Sequence, residues 1–167
     1  GVASNRSSFK SFINAQASDP VSAFGGVVAC NYKINNKIAL EINKTFFEVI
    51  LAKGFDKKAL KILKKKKNMR VIDISKINYK SDTIAKIFDN SFLLQEKDKT
   101  VFDRKKLKFV TKIKPTKSEI KEIEFAFRIC KYVKSNAIVI TKENATIGIG
   151  AGQQNRLDSC RIAAVSY

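Results

Sequence analysis

Short apolar segments alternate with helix-forming segments along the first 74 residues, and no other feature constrains the fold as strongly. Residues Gly26–Cys30, Phe47–Ala52 and 70–74 each have the composition of a buried β-strand. Asn35 and Asp56 are each placed to cap a helix between two of these strands. Strands that alternate with helices of this length predict an α/β fold with a mainly parallel sheet and helices packed on it.

A glycine-rich corner near the C-terminal end predicts further ordered structure. Residues 134–150 are typical of a strand, a tight turn and a second strand, and glycine then recurs at alternate positions up to Gly152. A helix that starts near Gln153 would direct unpaired N–H groups towards an anion, and Arg156 in its first turn would add a positive charge. The spacing matches neither phosphate-binding fingerprint, so close packing of a strand on a helix explains the glycines equally well.

The middle of the chain has a weaker pattern. Residues 75–103 predict polar connections around the apolar stretch 91–95, and residues 107–113 predict one further strand. Thr116 and Glu119 have the spacing of a capping box, which indicates the start of a long helix. The apolar face of this helix is expected to consist of Ile120, Ile123, Phe127 and Cys130.

The formal net charge of +18 over 167 residues raises the question of nucleic-acid binding. Lysine supplies most of the basic residues, and isoleucine, asparagine and phenylalanine are also plentiful, as expected from an A/T-rich coding sequence. Codon bias therefore explains the charge better than selection for nucleic acid, and no nucleic-acid partner is predicted. The densest run, residues 64–67, ends a predicted helix, where cations complement the helix dipole.

Several kinds of site are disfavoured by what the sequence lacks. It has no histidine, which is the usual general base and a common metal ligand. Cys30, Cys130 and Cys160 are odd in number and form no Cys-x-x-Cys pair, so neither a zinc site nor a disulfide framework is expected. No apolar run has the length of a membrane span, and the first residues show no signal-peptide pattern. The expectation is a cytoplasmic protein without a membrane partner or a required metal.

Several segments along the chain carry a resemblance to known sequences. The first of them begins at residue 19, and its residues 19–26 have the sequence Asp-Pro-Val-Ser-Ala-Phe-Gly-Gly. The full set is residues 19–29, 47–52, 65–71, 110–112 with Pro115, Thr116 and Glu119, 134–137 and 148–156. In this order they resemble the formyltransferase domain of the bifunctional purine biosynthesis enzyme, and the similarity covers essentially the whole chain.

The resemblance implies transfer of a formyl group from 10-formyltetrahydrofolate to the 5-amino group of AICAR, an imidazole carboxamide ribonucleotide, in the biosynthesis of inosine monophosphate. It also implies a homodimer and a cytidine-deaminase-like, three-layer α/β/α fold with a mostly parallel or mixed sheet. Residues 1–80 would belong to a first such half, 81–115 to a connecting segment and 116–167 to a truncated second half. The family's Lys-His pair has no match here, so the chain is expected to be an inactive central fragment.

Three residues match positions that contact substrate in the family. Gly25 would let the backbone approach the nucleotide, although it could equally end a turn before the strand. Glu48 is an acid within an apolar strand, which favours a functional role. Asn136 is the expected auxiliary catalytic residue, because its amide can both donate and accept hydrogen bonds. The alternative for Asn136 is an asparagine that ends the preceding helix.

Three further residues match folate-contacting positions. Phe24 could stack on a ring of the folate or the substrate, although a single phenylalanine lies more often in a core. Arg156 and Leu157 belong to the glycine-rich corner, and a solvated arginine in a first helical turn is the alternative for Arg156. Two other functions stay open at this point: a catalytically inactive nucleotide-binding remnant, and a basic nucleic-acid-binding protein.

Overall fold

The computed structural model describes residues 1–78 and 81–165 and has a mixed α/β architecture, which confirms the predicted class. The predicted boundary at residue 80 and the predicted end at Tyr167 lie outside the described residues. No helix among those described is long and apolar enough to span a bilayer. The elements are α1 (Ser8–Ala17), β1 (Gly26–Cys30), α2 (Asn36–Ile42), β2 (Phe47–Ala52), α3 (Lys57–Leu63), β3 (Arg70–Asp73), β4 (Thr83–Phe88), β5 (Ser91–Glu96), a 3-10 turn (Arg104–Lys106), α4 (Lys117–Cys130), β6 (Ile138–Lys142), β7 (Ala145–Gly150) and α5 (Arg156–Val165).

The parallel sheet forms as the sequence predicts, with the strand order β1-β2-β3. Asn35 caps α2, since its side-chain oxygen accepts the N–H of Ile38 at 3.0 Å. Asp56 precedes α3 at the N-cap position but makes no capping hydrogen bond. Its carboxylate instead pairs with Lys33 at 2.7 Å. Asp56 therefore occupies the predicted cap position but does not cap the helix.

The main core lies between one face of this sheet and the helices α2 and α3. The fully buried large side chains of this core are Ile34, Ile38, Ile42, Ile50 and Leu63. The opposite face of the sheet carries Val27 and Ile72, which are 66% and 41% exposed. Parallel sheets are usually covered on both faces. The described residues therefore leave one face of this sheet largely uncovered.

The second sheet, β6–β7, takes up the N-terminal segment as well. Ala3 forms an antiparallel bridge with Ala145, and the N–H of Thr146 donates to the carbonyl oxygen of Val2 at 2.8 Å. The buried Thr146 hydroxyl also donates to Ser18 Oγ at 3.0 Å. These bonds join residues 2–18 directly to a strand that lies more than a hundred positions later in the sequence.

The middle of the chain differs most from the prediction. Residues 75–103 contain the antiparallel hairpin β4–β5, which the sequence analysis missed. Residues 107–113 form no strand, so that prediction was wrong. Val110 and Ile113 are 92% and 86% exposed. An apolar segment becomes a strand only when a neighbour pairs with its backbone, and no strand in the described part of the chain does so here.

Helix α4 confirms the predicted capping box. The Thr116 hydroxyl accepts the N–H of Glu119, and the Glu119 carboxylate accepts the N–H of Thr116 at 2.6 Å. Most of the predicted core face was wrong, since Ile123, Phe127 and Cys130 are exposed. Of the four predicted residues Ile120 alone is partly buried, and the buried residue of this helix is Ile129. The face that is at least partly buried comprises Glu122, Phe125, Ala126 and Ile129. Helix α4 packs on strand β6. This contact buries a different face of the helix from the one that the composition indicated.

An ion-pair cluster fastens the connecting segment to α4. Arg104 donates from Nε and Nη2 to one oxygen of Glu124, at 3.0 and 2.6 Å, and Arg128 donates to the other oxygen at 2.8 Å. The ammonium of Lys131 donates to the carbonyl oxygen of Thr100 at 3.0 Å. Residues 98–104 therefore lie along α4 despite having no strand or long helix of their own.

This cluster predicts a pH-dependent contribution to stability. Hydrogen bonds from Arg128 and then Arg104 hold the pKa of Glu124 below its ordinary value. Because folding lowers this pKa, the stabilisation is present at neutral pH and is lost as the pH falls below about 4.5. We expect Glu124→Gln to lower the melting temperature slightly at neutral pH and to match the parent near pH 3. Glu143→Gln, at an exposed position, is the control; a Glu124→Gln effect that persists unchanged in acid would contradict the assignment.

Candidate functional site

Asn136 lies in the loop before β6 and is fastened to the corner between β7 and α5. Its side-chain amide donates to the carbonyl oxygens of Gln153 and Gln154, each at 3.0 Å, and its backbone N–H donates to Gln153 at 3.2 Å. Its own carbonyl oxygen accepts the hydroxyl of Ser159, a fully buried residue, at 2.7 Å. Four hydrogen bonds thus fix Asn136 against both the loop and the helix.

These contacts limit what the Asn136 side chain can do for a ligand. Both amide hydrogens are engaged by carbonyl oxygens, so the expectation that this amide would donate to a ligand is not supported by the geometry. Within residues 1–78 and 81–165, no hydrogen bond reaches the amide oxygen, so this atom is free to accept one. The helix-ending alternative is wrong, because α4 ends at Cys130 and Lys131 is its C-cap.

Helix α5 begins at Arg156, three residues later than predicted. Gly152 has a φ of +67°, and its N–H donates to the carbonyl oxygen of Lys134 at 2.7 Å, which holds the chain in a loop. Asn155 Oδ1 accepts the N–H of Asp158 at 2.8 Å and so caps one of the first N–H groups. Arg156 and Leu157 lie exposed on the first turn beside Asn155.

Two of the three glycines serve packing. A Cβ on Gly148 would lie 1.9 Å from the carbonyl oxygen of Ala163, and one on Gly150 would lie 1.9 Å from that of Ser159. Strand β7 therefore rests directly on the backbone of α5, as the packing interpretation predicted. This close approach also brings Ser159 within reach of Asn136.

A second group of candidates lies where the chain enters the parallel sheet. Gly25 has a φ of +71°, directly before β1, and its N–H donates to the carbonyl oxygen of Phe46 at 2.8 Å. A Cβ on Gly25 would meet nothing within 4 Å. Gly25 therefore forms the turn and also leaves open space beside its backbone. Phe24 is 70% exposed, and its ring centroid lies 5.6 Å from that of Phe46. Phe24 is therefore not a core residue.

Glu48 occupies a β-bulge. Gly26 pairs with Phe47 and Val27 pairs with Val49, which leaves Glu48 as an extra residue with no partner on β1. Bulges redirect a side chain and are frequent beside active sites. Glu48 is exposed next to the buried Phe47. The sequence analysis missed the bulge because an extra residue in a parallel ladder leaves no local pattern.

The six candidates form two separate groups in the described structure. No hydrogen bond, ion pair or ring contact within residues 1–78 and 81–165 connects Phe24, Gly25 or Glu48 with the corner at Asn136. A cavity of about 710 Å³ beside β1 contains none of the six in its lining. Polar residues that line this cavity include Ser11, Gln16, Asp19, Tyr32 and Lys53.

Cys30 and Tyr32 both line this cavity and have neutral side chains at physiological pH. Burial raises the pKa of the Cys30 thiol, and burial together with the hydrogen bond to Cys30 raises the pKa of the Tyr32 hydroxyl. A thiol of this kind is not an activated nucleophile. All three cysteines are free, and the described residues contain no cluster of three or more acidic or cysteine side chains that could hold a metal ion.

Comparisons with known proteins show the family of this chain. Residues 1–166 match the family model of the AICARFT/IMPCHase bienzyme. The chain is 44% identical to the bifunctional purine biosynthesis protein PurH of Thermoanaerobacter sp. (strain X514), with 94% of the chain covered. It is 44% identical to that of Bartonella tribocorum and 45% identical to that of Brucella ovis, each with 98% of the chain covered. The chain spans 31% of the length of each of these relatives.

Proposed function

Because the chain belongs to the AICARFT/IMPCHase bienzyme family, we propose that it is the central part of an enzyme that transfers a formyl group from 10-formyltetrahydrofolate to AICAR. The observation that carries this proposal is the fixed corner of Asn136, Arg156 and Leu157. Four hydrogen bonds hold Asn136 there with one acceptor atom free. A catalytic group that is already fixed in place loses little freedom when substrate binds.

The reaction explains the need for an acceptor at this place. The 5-amino group of AICAR is conjugated with an imidazole carboxamide and is a weak nucleophile. Its nitrogen forms a bond to the formyl carbon, the bond from that carbon to the folate nitrogen breaks, and a base removes the amine proton. Asn136 Oδ1 would accept one amine hydrogen and orient the nitrogen for attack. The chain has no histidine, and we assign the base to another part of the longer protein.

Phe24, Gly25 and Glu48 would contact parts of the two substrates away from the reacting amine. The open space above Gly25 would admit the nucleotide, and the bulge at Glu48 would direct a carboxylate towards it. The exposed ring of Phe24 offers a stacking surface for the folate or the imidazole. Arg156 and Leu157 would contact the folate. We propose that the longer protein joins the two groups at the interface of a homodimer.

The proposal includes the finer features that the family resemblance implies. We infer a cytidine-deaminase-like arrangement, with residues 1–80 in one half and 116–167 in the next, in a cytoplasmic enzyme that needs no metal for catalysis. The uncovered face of the parallel sheet is compatible with a missing third layer.

Formyl transfer by the longer protein is the direct test. A full-length family member that contains this segment should convert AICAR and 10-formyltetrahydrofolate into formylated AICAR and tetrahydrofolate, whereas the isolated chain should not. A folded full-length protein without this activity would refute the proposal. The alternative, an inactive nucleotide-binding remnant, predicts instead that AICAR raises the melting temperature of the chain while the longer protein transfers no formyl group.

A further inference from the structure

Four consecutive lysines, Lys64–Lys67, follow helix α3, and one of them differs from the others. Three of the side chains are exposed, whereas that of Lys66 is half-buried. The ammonium of Lys66 donates to the carbonyl oxygen of Thr45 at 3.0 Å. A cation after a helix usually complements the dipole of that helix. Lys66 instead binds a loop that lies 21 positions earlier in the chain.

The contact lies at the edge where the chain enters the parallel sheet, beside Gly25. Residues 18–25, 43–46 and 64–69 are the segments that directly precede β1, β2 and β3. Because these strands are adjacent and parallel, their amino ends meet at one edge of the sheet. Lys66 therefore reaches across this edge to the middle one of the three segments.

The middle segment, residues 43–46, supports Phe24 and Gly25. The carbonyl oxygen of Phe46 accepts the N–H of Gly25 at 2.8 Å, and the ring centroids of Phe46 and Phe24 lie 5.6 Å apart. The carbonyls of Thr45 and Phe46 belong to consecutive peptide groups. A bond that fixes the Thr45 carbonyl therefore limits rotation of the Phe46 backbone, which carries both contacts.

Thr45 is held on two sides. Gln16 of α1 donates from Nε2 to the Thr45 hydroxyl at 3.0 Å, and Lys66 donates to the Thr45 carbonyl oxygen. A hydrogen bond from a charged donor is about twice as strong as one between neutral groups. Lys66 is itself anchored, since its N–H donates to the Leu63 carbonyl oxygen at 3.2 Å and its carbonyl oxygen accepts the N–H of the buried Met69 at 3.1 Å. Its side chain thus ties the loop to a fixed turn.

We propose that Lys66 is a positioning residue for substrate binding. Its hydrogen bond to Thr45 holds the segment that supports Phe24 and Gly25, and Lys66 itself contacts neither substrate. This inference rests on the proposed function, which gives Phe24 and Gly25 contacts with the substrates away from the reacting amine. Such contacts bind the ground state and the transition state alike, so their displacement raises KM and leaves kcat nearly unchanged.

Lys66→Met in a full-length family member that contains this segment tests the proposal. Methionine keeps an unbranched apolar side chain but donates no hydrogen bond. We expect the KM values for AICAR and 10-formyltetrahydrofolate to rise about tenfold, with kcat within about twofold of the parent. Lys66→Arg keeps the charge and the donors, and both KM values should stay within about threefold of the parent.

Lys65→Met is the matched control, because it removes the same charge from the same run at an exposed position. It should leave kcat and both KM values unchanged. If Lys65→Met raises KM as much as Lys66→Met, the effect comes from charge alone and the proposal is overturned. A Lys66→Arg enzyme with the KM values of Lys66→Met would also contradict it, and so would a Lys66→Met enzyme that loses kcat more than it gains KM.

Hydrogen exchange follows the support of Gly25 without any measurement of activity. The Phe46 carbonyl oxygen protects the amide of Gly25. In peptides that cover residues 19–26, this amide should exchange faster in Lys66→Met than in the parent or in Lys65→Met. Unchanged exchange, or unchanged KM values in an enzyme that still transfers the formyl group, refutes this inference alone. A folded parent without formyl transfer would instead refute the proposed function.

Discussion

Gly150→Ala is expected to destabilise the fold by about 3 kcal/mol or more, a large part of the roughly 5–15 kcal/mol that stabilises a typical domain. The added Cβ would lie 1.9 Å from the carbonyl oxygen of Ser159, whereas ordinary contacts lie at 3.4–4 Å. The obstructing atom belongs to the backbone of α5, so no side-chain rotation can relieve the collision. Gly148→Ala, with the same 1.9 Å approach to Ala163, should behave alike.

Urea denaturation measures this loss. With a slope of about 1–3 kcal/mol per molar urea, the unfolding midpoint should fall by at least about 1 M. Gly25→Ala is the control that separates backbone strain from steric collision. Gly25 has a φ of +71°, but a Cβ there would meet nothing within 4 Å. This substitution should cost about 1–2 kcal/mol. If Gly150→Ala costs no more than Gly25→Ala, strand β7 does not rest on α5 as described.

The packing of β7 on α5 and the position of Asn136 depend on the same contact. The missing side chain at Gly150 allows the Ser159 backbone to approach, and the Ser159 hydroxyl then reaches the carbonyl oxygen of Asn136 at 2.7 Å. A displaced α5 would therefore release one of the bonds that hold Asn136. Gly150 therefore supports the position of Asn136 through packing.

The sequence predicted those parts of the fold that local pattern determines. Strands β1 and β2 lie where the apolar segments indicated, and the capping box at Thr116 is present, because each depends on residues that are close in sequence. The hairpin β4–β5 was missed, and residues 107–113 were wrongly given a strand. Both errors concern segments whose apolar residues stay exposed, so composition alone could not separate a paired strand from an unpaired one.

The candidate residues could be chosen from the sequence, but the contacts around them could not be predicted. The motif around Asn136 singled out the residue, but the carbonyl oxygens that bind its amide come from Gln153 and Gln154, 17 and 18 positions later. The bulge at Glu48 likewise depends on the register with β1. Long-range contacts of this kind decide which atoms of a side chain remain free for a ligand.

Asn136→Ala in a full-length protein that contains this segment should lower kcat for formyl transfer about 100-fold. The KM for AICAR should change only a few-fold, because the side chain orients the reacting amine and contributes little to binding of the nucleotide. Asn136→Asp should be no better than alanine, although it keeps the acceptor. A carboxylate has no hydrogen to donate and would repel the carbonyl oxygens of Gln153 and Gln154.

Asn155→Ala is the matched control for this prediction, because it removes an amide from the same corner. It deletes the cap on the N–H of Asp158 and should cost about 1 kcal/mol of stability, with kcat within a few-fold of the parent. If Asn136→Ala and Asn155→Ala lower kcat equally, the role of Asn136 is to hold the loop and not to orient the amine. If Asn136→Ala raises KM as much as it lowers kcat, its free oxygen binds the nucleotide equally in the ground state and the transition state. The proposed role is supported only if Asn136→Ala lowers kcat without a comparable rise in KM and Asn155→Ala does not. In that role the amide hydrogens of Asn136 hold the corner, and its amide oxygen orients the reacting amine.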